Sequence, residues 1–172
     1  NTFLGLWKDD KPNGIGTMKW ENNDEYTGSY NGYKREGFGN YNFNDASYQD
    51  ITDLTLSITP SSTSNKILAK CILCASANAN QRFGVRIVRD GSMIFSPTSI
   101  GSRTAALVFG DGNGSNKPPM PSVIELLDAP SSTSSLRYKV QAHCEAASYL
   151  YINSTQTWSD DYTKIGAVST LS

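Results

Sequence analysis

The sequence predicts an all-β protein: stacked β-hairpin repeats followed by an antiparallel β-sandwich of jelly-roll type. Three observations carry this. Phe3 to Glu25 can be laid over Tyr26 to Tyr48 at an offset of 23 residues, and a period in this range marks stacked supersecondary units that bury their apolar faces on one another. Apolar and polar residues then alternate with period two along most of the chain, the signature of strands with one dry face. No long helical stripe interrupts this, and turn-forming clusters recur every eight to fifteen residues, the spacing of an all-β sandwich.

The repeat occupies residues 1–47. Phe3, Gly5, Trp7, Lys11, Gly14, Gly16, Met18 and Trp20 fall on Tyr26, Gly28, Tyr30, Lys34, Gly37, Gly39, Tyr41 and Phe43. Each unit reads as a hairpin whose turn is expected at Lys11-Pro-Asn-Gly14 or Lys34-Arg-Glu-Gly37. Matched glycines predict positions of positive φ or close strand approach, which only a residue without a Cβ tolerates. Asn22-Asn23-Asp24 supplies the turn between units. The two units resemble membrane occupation and recognition nexus (MORN) repeats, which implies hairpins stacked in one elongated, twisted sheet serving as a stalk. Trp7, Trp20, Tyr30 and Phe43 are expected to pack between hairpins and subunits. A complete first repeat with no initiator Met before Asn1 predicts a piece of a longer protein.

Residues 48–172 are expected to form the sandwich. Candidate strands run from Asp53 to Thr59, Ile67 to Ala75, Arg82 to Arg89, Ser92 to Ser96, Thr104 to Phe109, Val123 to Leu127, Leu136 to Cys144, Ser148 to Asn153 and Lys164 to Leu171. Asp90-Gly91 between two of them fits the type I′ turn that strand twist favours. Pro60-Ser-Ser-Thr-Ser64 recurs as Pro130-Ser-Ser-Thr-Ser134, read as two strand connections or a polar ligand-contacting rim. Asp111 to Pro121 is an exposed excursion rich in Gly and Pro.

Composition removes several function classes. Fifteen Lys and Arg face sixteen Asp and Glu, so there is no broad basic surface for nucleic acid. The basic residues of the repeats are diluted by Asp and Glu, which disfavours attraction to anionic lipid. No apolar run approaches the length of a membrane span. Cys71, Cys74 and Cys144 are an odd number, so reduced buried thiols are expected. Cys71 and Cys74 on one strand would point to opposite faces and cannot chelate one ion. His143, the single histidine, is placed on an outer face beside Arg137, Lys139 and Gln141. No nucleophile motif accompanies it. Asp160-Asp161 and Glu125/Asp128 are the carboxylate pairs available for glycan cleavage, and each is explained by a turn or a strand end. Asp111-Gly-Asn113-Gly-Ser115 lacks the Glu that closes a calcium loop. No catalytic residue, metal or cofactor is predicted.

Leu54-Thr-Leu-Ser-Ile-Thr-Pro60-Ser-Ser-Thr-Ser, Arg89-Asp-Gly, Leu127-Asp-Ala-Pro-Ser-Ser-Thr, Tyr138-Lys-Val, Tyr151-Ile-Asn153 and Ser169-Thr-Leu-Ser172 resemble a domain found at the C-termini of marine and cyanobacterial tailed-phage tail-fibre and virion structural proteins. The resemblance implies a virion location, with other tail proteins as partners, and relatives that continue past Ser172. A non-enzymatic tail-fibre or tail-tip segment is the expected function. The alternatives are a capsid decoration protein and a glycan-degrading tail enzyme. The expected contacts to a host surface glycan or a subunit are Tyr149, Tyr151 and Trp158, with Asp160 and Asp161 alongside, because aromatic faces stack on sugars while carboxylates bind hydroxyls. An aromatic hairpin face left uncovered predicts a homotrimer.

Overall fold

In a computed structural model of the chain, the residues described are 1–21, 23–43, 47–78, 81–95, 106–111, 120–145, 148–153 and 170–171. Every regular element among them is a β-strand: β1 Thr2–Lys8, β2 Lys11–Lys19, β3 Glu25–Asn31, β4 Lys34–Phe43, β5 Gln49–Ile58, β6 Ile67–Ala77, β7 Arg82–Arg89, β8 Ser92–Met93, β9 Val108–Asp111, β10 Met120–Asp128, β11 Leu136–Cys144, β12 Ser148–Ile152 and β13 Thr170–Leu171. All pairings are antiparallel. An eight-stranded sheet has the order β1-β2-β3-β4-β12-β6-β10, with β13 also on β6. A five-stranded sheet has the order β5-β11-β7-β8, with β9 also on β7.

The repeat hairpins do not form a layer of their own. β4 pairs with β12, Tyr41 opposite Leu150, and β12 pairs with β6, Leu150 opposite Ala77. One cross-strand row therefore runs Phe3, Met18, Tyr26, Tyr41, Leu150, Ala77 along a single face. Tyr26, Tyr30 and Tyr41 belong to the same buried cluster as Ile51, Leu73, Val85, Val140 and Leu150. β4 belongs to the eight-stranded sheet and β5, the next strand in the chain, to the five-stranded one.

The hairpin turns differ from the expectation. In the first hairpin the turn is Asp9-Asp10, both with positive φ (50° and 58°), as the type I′ geometry matched to strand twist requires. Aspartate tolerates that region better than most residues. Lys11-Pro-Asn-Gly14 instead opens β2, where the register shifts opposite Gly5 to Trp7 and Gly14 takes φ 78°. Lys34 likewise begins β4, after a turn at Gly32 (φ 64°).

Gly16 and Gly39, a matched pair, serve close approach. A Cβ on Gly39 would stand 2.0 Å from the Tyr26 ring, and one on Gly16 would stand 2.3 Å from the Phe3 ring. Both relations recur at the 23-residue offset, so each repeat lays its first aromatic ring over the glycine of its own second strand. Phe83 covers Gly110 in the five-stranded sheet in the same way, at 2.3 Å. The rings then meet edge to face: Phe3 on Tyr30 at 4.9 Å and Tyr26 on Tyr30 at 5.5 Å. The Arg35 guanidinium lies 5.2 Å from the centroids of Trp20, Tyr26 and Tyr41. Cation-π attraction thus occupies one of the few basic residues of the repeats.

The repeated Pro-Ser-Ser-Thr-Ser segments mark a local two-fold. Each makes the same serine contact, with the Ser64 amide donating to Ser62 Oγ at 3.2 Å and the Ser134 amide to Ser132 Oγ at 3.0 Å, although Ser131 takes positive φ (51°) and its equivalent Ser61 does not. One connects β5 to β6 and the other β10 to β11, so both cross between the sheets. β5 pairs with β11 in the register Ile58–Leu136, Leu56–Tyr138 and Thr55–Lys139. β10 pairs with β6 as Asp128–Ile67, Leu126–Ala69 and Glu125–Lys70. Exchanging the two strand-loop-strand units maps one set of pairs onto the other, which sets the two loops side by side at one end.

Gly39→Ala is expected to cost about 1–3 kcal/mol, the cost of forcing a methyl group into a filled site, measured by urea denaturation. Combining it with Tyr26→Ala should cost less than the sum of the two single changes, because the added methyl then enters the space the ring has left.

Candidate functional surface

β12 presents the two tyrosines named from the sequence. Leu150 and Ile152 face the core, so Tyr149 and Tyr151 lie on the opposite, open face of the eight-stranded sheet. Their rings are near parallel, 16° apart with centroids at 6.3 Å. They differ in exposure: Tyr149 is 42% exposed, whereas Tyr151 is 5% exposed and burial pushes its hydroxyl pKa up. Of the two expected contacts, Tyr151 is therefore covered although it shares its strand face with Tyr149. Strand parity sets the face, but neighbouring chain decides how much of a ring remains open. Trp158, Asp160 and Asp161 lie outside the described residues.

On its β4 side, Tyr149 is followed by polar positions of this face. Tyr149 is opposite Asn42 on β4, Asn42 is opposite Glu25 on β3, and Glu25 is opposite Lys19 on β2. The parallel row runs Tyr151, Asn40, Thr27, Thr17, Leu4, with the Thr17 and Thr27 hydroxyls 2.9 Å apart. Sequence reading missed Asn42 and Glu25 as neighbours of Tyr149. They are over a hundred positions away in the chain, and only the β4–β12 pairing joins them.

Of the repeat aromatics, Tyr30 is buried, Trp20 is half-buried under Arg35, and Trp7 packs edge to face on Phe3 at 5.2 Å. Phe43 ends β4 opposite Ser148. Trp7 is 56% exposed and Tyr30, its repeat equivalent, only 5%. Much of the aromatic face is thus covered within one chain, contrary to the premise of an open aromatic face. Exposed apolar side chains include Leu4, Leu6 and Ile15 on β1 and β2, and Leu68, Ile72, Val123 and Leu127 on β6 and β10.

A polar network covers the outer face of the five-stranded sheet. Lys139, Gln141 and His143 alternate there with buried Tyr138, Val140, Ala142 and Cys144, as the period-two reading places His143. Lys139 Nζ donates to Asp50 Oδ2, and Gln141 Nε2 donates to Asp50 Oδ1 at 2.8 Å. Arg86 Nε donates to Gln141 Oε1 at 2.8 Å while its guanidinium stacks 3.7 Å over the Tyr48 ring. Tyr48 in turn lies 5.3 Å from His143, whose Nδ1 is buried without a hydrogen-bond partner among the described residues. Burial pushes the Asp50 carboxyl up, but the hydrogen bonds from Lys139 and Gln141 and the charges of Lys139 and Arg137 together hold it below its ordinary value. Apart from His143 Nδ1, the polar groups of this network are engaged with one another.

Between the sheets, Asp128 Oδ2 accepts from the Tyr138 hydroxyl at 2.6 Å and from Arg89 Nη1. This clamp is at the loop end, since Asp128 closes β10 and Tyr138 lies near the start of β11. Burial, with the Asp128 carboxylate as a hydrogen-bond acceptor, pushes the Tyr138 hydroxyl up to about 12. Cys71 and Cys144 are fully buried, and burial raises each thiol to about 12. Cys74 lies on the opposite face of β6 from Cys71, so the two sulfurs diverge as the spacing requires.

Residues 3–25 and 26–48 each match the MORN repeat family. No curated protein matches the chain.

Two outcomes follow from these environments. Asp50→Asn should lower stability at pH 7 and flatten its loss on acidification. A depressed carboxylate pKa contributes stability above its unfolded value near 4, and that contribution fades as pH falls through the folded pKa. Urea midpoints between about pH 6 and pH 3 test this, and an unchanged slope in Asp50→Asn would contradict it. Native protein treated with a thiol reagent at pH 8 should leave Cys71 and Cys144 unmodified until denaturant is added, since the reactive thiolate is suppressed. Mass spectrometry of the labelled peptides gives the answer.

Proposed function

We propose that this chain is a non-enzymatic structural segment of a bacteriophage virion, part of a tail fibre or tail tip that takes part in attachment to the host surface. The observation that carries the reading is the continuous sheet. MORN hairpins and the strands of the phage-like region are hydrogen-bonded edge to edge and share one core, so repeat and head form one stiff β body suited to an appendage that bears load. The region from residue 48 onward is read as a jelly-roll-type sandwich. Support comes from two sheets with a common core and two loops that cross between them. The chemistry of the described residues favours adhesion: the thiols are buried, and the carboxylates Asp50 and Asp128 are engaged with Lys139, Gln141, Arg89 and Tyr138.

Self-association belongs to this proposal, with three copies as the expected number and other virion tail proteins as neighbours. The contact groups proposed are the exposed Leu4, Leu6 and Ile15 in place of the largely covered aromatic face. Light scattering should give three times the chain mass; a single monomeric species would remove the self-association.

Immunogold labelling of intact particles with antibody to residues 1–172 should mark the tail or its tip. Gold confined to capsid faces would establish a decoration protein instead. New reducing ends released from host surface polysaccharide would establish an enzyme.

A further inference from the structure

We infer that the open face of the eight-stranded sheet around Tyr149 is a saccharide-binding surface built jointly by the repeat hairpins and β12, and that it takes a neutral glycan strand. This deepens the attachment reading and rests on it. Tyr149 offers a half-open ring, braced by the near-parallel, buried Tyr151. Across the sheet from it the register sets the Asn42 amide and then the Glu25 carboxylate, with Asn40 and Thr27 in the adjoining row. An aromatic face that covers the apolar side of a pyranose, flanked by amides, hydroxyls and a carboxylate that bond its hydroxyls, is the combination that holds sugars.

Spacing and charge select the ligand. Neighbouring strands stand about 4.8 Å apart, so Tyr149, Asn42 and Glu25 repeat at a step close to the length of one hexose unit. A glycan running across the strands meets one new side chain per sugar. The face is balanced, because Glu25 is directly opposite Lys19. The central positions Asn42, Asn40, Thr27 and Thr17 are uncharged, which suits a neutral chain and offers an acidic polymer no cluster of cations. The apolar side chains Leu4, Leu6 and Ile15 lie at the far end of the rows, on β1 and β2. The proposed contact of Tyr149 therefore remains separate from the proposed subunit contact.

Isothermal titration of the full chain against neutral hexasaccharides, α- and β-linked gluco-, manno- and galacto-oligomers, tests this, with a hexameric polyuronate as acidic comparator. At least one neutral oligomer should bind saturably with Kd of about 1 mM or tighter. Tyr149→Ala should weaken it about tenfold or more, Asn42→Ala should weaken it as well, and Tyr149→Phe should retain most of it, with circular dichroism confirming the fold of each variant. Saturable binding to none of the neutral oligomers, preference for the polyuronate, or unaltered affinity in folded Tyr149→Ala and Asn42→Ala would each overturn the proposal. Gold on the tail together with no neutral-glycan binding would remove this inference alone, whereas gold absent from the tail would remove the attachment reading beneath it.

Discussion

The packing of an aromatic ring into the space where a cross-strand glycine lacks a Cβ is the constraint on which the repeat part of this structure depends. Phe3 over Gly16 and Tyr26 over Gly39 bring each ring flat against the sheet. From there it reaches the ring of the neighbouring hairpin, as Phe3 reaches Tyr30. A methyl group at Gly16 would lift the Phe3 ring and break that contact. Because the rings lie down rather than stand up, the hairpins form a thin layer whose dry face continues without a step into the core under β12 and β6. The eight-stranded sheet follows from this. β4 ends with a flat apolar surface that β12 can extend, and Tyr41 and Leu150 then sit side by side in one row.

The second organising element is the local two-fold. Two strand-loop-strand units with the same loop sequence pair antiparallel with each other in both sheets, so the loops that join the sheets stand at one end of both registers. The symmetry is broken where chemistry differs. Position 58 is Ile and its equivalent 128 is Asp, and the aspartate is satisfied by Tyr138 and Arg89 across the sheets. A buried carboxylate with hydrogen-bond partners is tolerated where an unpaired one would be costly. This polar clamp stands at the loop end, while Cys144, Phe83 and Val85 fill the interior further along the strands.

The two open faces divide their chemistry. On the five-stranded sheet the charges are spent on one another: Asp50 holds Lys139 and Gln141, and Arg86 is shared between Gln141 and the Tyr48 ring. On the eight-stranded sheet, the β4 side of β12 sets amides and hydroxyls beside one half-open tyrosine. The first arrangement rigidifies a surface, and the second is the one on which the saccharide contact is proposed. That difference, more than any single residue, favours a binding surface on the side that the hairpins and β12 share.

The strands were largely legible from the chain, because period-two alternation depends only on neighbours in sequence. β6, β7, β11 and β12 lie within two residues of the spans read from it, and Asp90-Gly91 makes the positive-φ turn its residues demand. The repeat glycines were legible as positions of positive φ or close approach, and the chain uses both, Gly14 the first and Gly16 and Gly39 the second. The sequence also determined that Cys71 and Cys74 diverge and that His143 faces away from the core, because both follow from strand parity. The hairpin turn was misplaced because Lys11-Pro-Asn-Gly14 has the letters of a turn, while the positive φ of Asp9 and Asp10 is a matter of backbone conformation. Tertiary structure alone decided that Tyr151 is buried while Tyr149 stays open, that the hairpins join the later strands in one sheet, and that Asn42 and Glu25 stand beside Tyr149. These depend on which strand edges meet, a choice made by contacts between residues far apart in the chain, which no local periodicity encodes.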